Sequence, residues 1–204
     1  MRPAAAVCAV LVMVVLAQTG PAAQAEEEPP RFSVSAAVGV LRPSDVSFRE
    51  LYGGSHVPVT VQLECRLWPR LALFGGGQFL GADGRTIAEG AQVGDESFPL
   101  RFTTSSIRVG ALVLMPKRRW TVFAGGGASY STYHEDWTGT QVSASGKTYG
   151  FLAQAGVRYV LTGPVSLSGG VEYTYVPAHS SDASSGGTID LGGLGVSLGV
   201  GVGF

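Results

Sequence analysis

From Leu194 to the last residue the chain alternates strictly. Leu194, Val196, Leu198, Val200, Val202 and Phe204 fall on one face, and Gly195, Ser197, Gly199, Gly201 and Gly203 on the other. Period-two alternation marks a β-strand with one apolar face. In water such a strand, with nothing after it to cover it, would aggregate. In a closed barrel in lipid the apolar side chains meet acyl tails and the small ones face the lumen.

The same alternation predicts seven earlier strands, at about 32–41, 59–67, 71–80, 101–114, 120–131, 148–160 and 165–176. In the second, Val59, Val61, Leu63, Cys65 and Leu67 face out, while Thr60, Gln62, Glu64 and Arg66 face in. In the fourth, Phe102 breaks parity with Ile107, Val109, Ala111 and Val113, and a bulge near 103–106 would return it to the lipid face. The connection Arg42 to Pro58 carries a short helix. Ser47-Phe48-Arg49-Glu50 has the capping-box spacing, Gly53 can stop the helix, and Phe48, Leu51 and Tyr52 share one side. That helix would lean on the rim or dip into the mouth.

Connections alternate long and short. Trp68-Pro69-Arg70, Met115 to Arg119 and Thr162-Gly163-Pro164 are tight, whereas 42–58, 81–100, 132–147 and 177–188 are long and polar. The expected fold is all-β: an eight-stranded antiparallel up-and-down transmembrane β-barrel with short periplasmic turns and long external loops. Aromatic residues agree with this registration. Phe32, Trp68, Trp120, Tyr159 and Phe204 fall at periplasmic strand ends; Phe79, Phe102, Tyr130, Tyr149, Tyr173 and Tyr175 fall near external ends. Two such belts match the interface girdles of a membrane barrel.

An eight-stranded interior is just wide enough for side chains to fill. By parity it receives Glu64, Arg66, Gln78, Arg108, Gln154, Arg158 and Glu172, opposite inner faces of strands three, five and eight that read as mostly glycine and serine. Glu64 and Glu172 are expected to pair with Arg66, Arg108 and Arg158 as a polar plug. An arginine at mid-depth on the lipid face would cost about 2–4 kcal/mol. An ion path is the alternative, and the excess of arginine would favour anions.

Composition narrows the reading. The chain has 204 residues, 30 of them glycine, and a formal charge of −1, so it lacks the basic stripe that nucleic-acid binding requires. Arg2, the apolar run Val7 to Ala17 and Ala23-Gln24-Ala25 form a secretory signal peptide, residues 1–25, cut after Ala25. Residues 26–31 are a periplasmic lead-in and 32–204 the barrel. Cys8 leaves with the signal peptide, so Cys65 has no intramolecular partner.

Candidate chemistry is sparse. His134-Glu135-Asp136 are three adjacent residues in one loop and cannot all reach one ion well, so no metal site is expected. The glycine runs 75–77 and 125–127 lie within strands, not before a helix, and are not phosphate loops. His179-Ser180-Ser181 has the spacing of a base and a nucleophile. It resembles the His-x-Ser pair of the outer-membrane lipid A deacylases, but Asp182 follows where that family has Asn, and no Glu follows in the last strand. No catalytic residue and no cofactor are expected.

The alternation, the terminal Phe204 and the strand-end aromatics resemble the small bacterial outer-membrane barrels of the OmpA, OmpX and OmpW types. The resemblance implies a Gram-negative outer-membrane location, contact with outer-membrane lipid and lipopolysaccharide, and recognition of the last strand, with Phe204, by the barrel-assembly machinery. It implies a non-enzymatic protein with interacting surface loops and an extracellular partner left unknown. A narrow channel for small or apolar solutes is the alternative, and a lipid A-modifying hydrolase a more distant one.

Overall fold

A computed structural model describes residues 30–87, 97–137, 143–179 and 188–204. Eight strands close into one antiparallel barrel: β1 (Phe32–Pro43), β2 (Val59–Trp68), β3 (Leu71–Ile87), β4 (Ser97–Lys117), β5 (Trp120–Trp137), β6 (Ser143–Thr162), β7 (Val165–Tyr175) and, after a small detour, β10 (Gly193–Gly203). The detour is a separate two-stranded ribbon, β8 (Pro177–His179) with β9 (Thr188–Asp190). The barrel closes by pairing β1 with β10, from Ser33 opposite Gly203 to Pro43 opposite Gly193. Closure leaves no open sheet edge for lipid to meet. The alternation in β10 is carried out as expected, with Leu194, Val196 and Leu198 exposed on the outer surface.

Four strands run far past the lengths expected of them. Segments read as loops continue the ladders: β3 and β4 pair up to Ile87 opposite Ser97, and β5 and β6 up to Asp136 opposite Ser143. Above the lipid a strand needs no apolar face, so the alternation that marks the lower part fades while the backbone ladder persists. Strands β3 to β6 have 17, 21, 18 and 20 residues; β1, β2, β7 and β10 have 12, 10, 11 and 11. The barrel is therefore tall on one side and short on the other.

The bulge expected near 103–106 is absent. Both ladders of β4 pass this stretch in unbroken register. Phe102 accordingly points inward, 3 % exposed, and does not belong to the aromatic belt. What holds it there is the helix α1 (Val46–Tyr52), whose Phe48 and Tyr52 meet it at ring distances of 5.1 and 5.5 Å. The helix starts two residues earlier than the capping-box pattern suggests. Asp45 is the N-cap, its Oδ1 accepting from the Phe48 amide at 3.0 Å, and Gly53 closes the helix at φ 97°. Leu51 is exposed, not on the buried side with Phe48 and Tyr52.

Candidate functional site

The interior is the natural place to look for chemistry, and the register fixes who enters it. Glu64, Arg66, Arg108, Arg158 and Glu172 all sit on inward positions. Arg158 Nη2 donates to Glu64 Oε1 at 2.5 Å, and Arg108 Nη2 donates to Glu172 Oε2. Each pair spans the lumen: β6 to β2, and β4 to β7, strands that are not neighbours in the barrel. Arg108 is 3 % and Glu64 5 % exposed. Gln62 Nε2 adds a hydrogen bond to Glu64 Oε1 at 3.1 Å, and the Arg158 guanidinium lies 5.8 Å from the centre of the Phe123 ring. Arg66 is not drawn into a pair. Its Nη1 is buried with no hydrogen-bond partner among the described residues, as are Arg108 Nε and Nη1 and Gln154 Nε2.

Two apolar clusters flank these struts. Ala72, Phe74, Leu112, Leu114, Phe123 and Leu152 form one on the inner wall of β3 to β6. The inner face of β3 is thus not the glycine-serine surface expected. Strict parity already places these residues inside, but on strands apolar on both faces the outward set alone accounts for membrane residence. The second cluster lies at the mouth: Phe48, Tyr52, Ala82, Leu100 and Phe102, with Tyr133, Ile189 and Leu191 packed against it. Gly84 lets α1 approach, since a Cβ there would lie 2.4 Å from Leu51 O. Asp190 Oδ1 holds the far side, accepting from the amides of Val176 (2.8 Å) and Gly192 (2.9 Å).

Electrostatics at the mouth follow burial. Burial first, then the Glu135 charge and its hydrogen bond, hold the Tyr52 phenol far above its usual range. Burial lowers His56 below the usual imidazole range, opposed by a backbone hydrogen bond with Gly53. His56 is pinned by reciprocal backbone bonds with Leu41, 2.8 and 2.9 Å, and its ring stands edge-on to Phe48 at 5.7 Å.

Two small cavities adjoin the ion pairs. A cavity of about 60 Å³ is bounded by Ser35, Thr60, Glu64, Arg158, Ser168 and Ser197 among others. A second, of about 30 Å³, shares Thr60, Glu172 and Ser197 with it. Both border β1, β2, β7 and β10, and the tall strands line them too, with Phe123, Gln154 and Arg158 at the first and Gln78 at the second.

The outer wall carries the aromatic residues in cross-strand pairs. Trp120 meets Tyr159 at 4.6 Å and Tyr130 meets Tyr149 at 5.0 Å, while Tyr175 meets Phe151 at 5.1 Å. Trp68 and Tyr173 are exposed on the same surface. Phe204 stacks on Phe32 at 6.1 Å, with reciprocal backbone bonds of 3.0 and 2.8 Å between them. Of the histidine motifs, His134 Nε2 contacts Asp136 Oδ1 at 3.0 Å on an exposed face, and no cluster of metal-binding side chains occurs among the described residues. His179 contributes backbone to β8, whereas Ser180 and Ser181 lie outside the described residues, as do residues 1–25.

Solved structures of the same architecture are known. Neisserial surface protein A is 18 % identical with a TM-score of 0.61, covering 87 % of this chain and 100 % of that one. OprG from Pseudomonas aeruginosa is 12 % identical at TM-score 0.64, covering 87 % and 97 %. Ail, the attachment invasion locus protein of Yersinia pestis, is 13 % identical at 0.52, covering 87 % and 100 %. At such identities the likeness is one of fold. No curated protein matches the chain. The family profile described as outer membrane protein beta-barrel domain matches residues 8–204. With a closed eight-stranded barrel, an apolar outer wall and ion pairs inside, the chain belongs to that family of outer-membrane β-barrel proteins.

Proposed function

We propose that the protein is a non-enzymatic barrel whose lumen is closed and whose work is done at its external rim. The observation that carries this reading is the pair of lumen-spanning struts, Arg158 to Glu64 and Arg108 to Glu172, set between two apolar clusters. The tall side, β3 to β6, would then stand clear of the lipid as the surface offered to lipopolysaccharide or an extracellular partner. In this reading residues 1–25 are removed as a signal peptide, and Phe204, at the closing seam, is presented to the assembly machinery. No His-Ser pair at the mouth is needed for it.

The test is electrical. Protein purified in folded form and inserted into a planar bilayer should carry no stable single-channel current. A reproducible step would replace this reading with a narrow path along β1, β2, β7 and β10. What favours that second reading is the pair of adjoining cavities there, of about 60 and 30 Å³. Such a current should then change when Arg108 or Arg158 is replaced.

A further inference from the structure

Charge is distributed unevenly along the barrel axis. Among the described residues the acids fall in two places. Glu64 and Glu172 are paired inside, and Asp45, Glu50, Asp83, Glu135, Asp136 and Asp190 are on the side of the mouth. The side of the short turns has no described acidic side chain. It has Arg31, Arg70, Lys117, Arg118 and Arg119, all exposed and none in an ion pair among the described residues.

These cations are not spread around the rim. Arg31 immediately precedes β1, Arg70 lies in the β2–β3 turn, Lys117 ends β4 and Arg118 and Arg119 form the β4–β5 turn, so they occupy the continuous arc β1 to β5. The β6–β7 turn, Gly163-Pro164, is uncharged. Each cation site adjoins an interface aromatic: Phe32 follows Arg31, Trp68 lies two residues before Arg70, and Trp120 follows Arg119. Aromatics of this belt mark the headgroup level, which puts the cations at the depth of lipid phosphates.

One backbone feature argues that the charge is kept for a purpose. Arg118 is the non-glycine residue with positive φ among the described residues, at 53°. At the equivalent tight turn between β6 and β7 the left-handed position is held by Gly163, at φ 48°. Glycine takes that conformation freely and arginine does not. A cation therefore stands where the turn itself would favour glycine.

We propose that this half-collar binds the headgroups of anionic phospholipids, of the phosphatidylglycerol type, in the leaflet facing the short turns. Protein purified from the outer membrane and placed in mixed bilayers should enrich spin-labelled phosphatidylglycerol over phosphatidylcholine in its lipid shell. The expected preference is roughly fivefold at low salt, as one cation near an anionic surface supplies, falling toward one at about 1 M salt. Arg118→Gly should lower it while leaving the barrel at least as resistant to unfolding, which separates loss of charge from loss of fold. The combined replacement of all five, with Arg118→Gly and glutamine elsewhere, should abolish it.

The proposal is overturned if the native protein shows no preference, or if the preference survives the five-site variant. It is equally overturned if Arg42→Gln, Arg101→Gln and Lys147→Gln, on the side of the mouth, remove the preference instead. Glu26, Glu27 and Glu28 stand just before Arg31 in the chain. A preference that emerges only after their replacement by glutamine would mean that the lead-in, not lipid, occupies the collar.

Discussion

Strands β3 to β6 and strands β1, β2, β7 and β10 belong to one sheet, yet they fill the same lumen in opposite ways. The first arc is tall and lined inside by Phe74, Leu112, Leu114, Phe123 and Leu152. The second is short, lined by Ser35, Ala37, Ser168, Ser197 and glycines, and borders both cavities. The struts join the two. Each arginine stands on the tall arc, Arg108 on β4 and Arg158 on β6, and each glutamate on the short one, Glu172 on β7 and Glu64 on β2. A small-residue wall gives long side chains room to cross. Uniformly large inner faces would have left the arginines no path, and uniformly small ones no dry packing.

This comparison can be broken most severely at a strut. Arg158→Ala strands Glu64 without its partner in the interior and should cost about 3–5 kcal/mol of unfolding free energy. Measured by urea titration in lipid vesicles, the double replacement with Glu64→Ala should recover part of that loss, and strict additivity of the two would deny the coupling. Next comes the wall itself. Leu112 is 0 % exposed. Leu112→Ala should cost about 3 kcal/mol, whereas Ser168→Ala, on the hollow arc, should stay within about 0.5 kcal/mol. Equal losses at the two sites would erase the distinction between the arcs.

The smaller effects belong to the mouth. Asp45→Ala removes the helix cap and should weaken α1 by about 1 kcal/mol, read as faster hydrogen exchange across 46–52 with the barrel amides unchanged. His56 binds its proton more weakly when folded than its ordinary value of 6.5. The unfolded connection thus binds more protons than the folded one. Stability contributed by neutral His56 is full above pH 6.5 and is lost as pH falls below it. Proteolysis of the 42–58 connection should accelerate on acidification, and His56→Phe should flatten that dependence.

The arcs were unequally legible in the amino-acid pattern. The short arc alternates cleanly, as in β10, and its strand limits follow within a residue or two. The tall arc carries apolar residues on both faces over its lower part, and over its upper part its outer face turns polar while Ala82, Leu100 and Phe102 stay inside. There the period-two signal reports neither the inner packing nor the true strand ends. Phe102 shows the difficulty best. Counting by twos from Arg108 places it inside, but an aromatic residue beside a polar stretch is equally suited to an interface belt, and its partners, Phe48 and Tyr52, lie fifty residues away in the chain. The ion-pair residues were visible because charge has nowhere else to go in a wall that faces lipid. Which arginine takes which glutamate depends on barrel diameter and wall volume, which no local spacing encodes.

The stacked Phe32 and Phe204 have a consequence in time. Seven of the eight barrel pairings join strands adjacent in sequence, or nearly so, and can form as hairpins before the barrel closes. The seam between β1 and β10 joins residues from opposite ends of the barrel sequence, and β1 must hold its outer edge unpaired until β10 arrives. Closure is then the slow and vulnerable moment of this protein's life. A catalyst that shelters one edge while delivering the other would act at that seam, and folding without one should stall with every hairpin made and the cylinder still open.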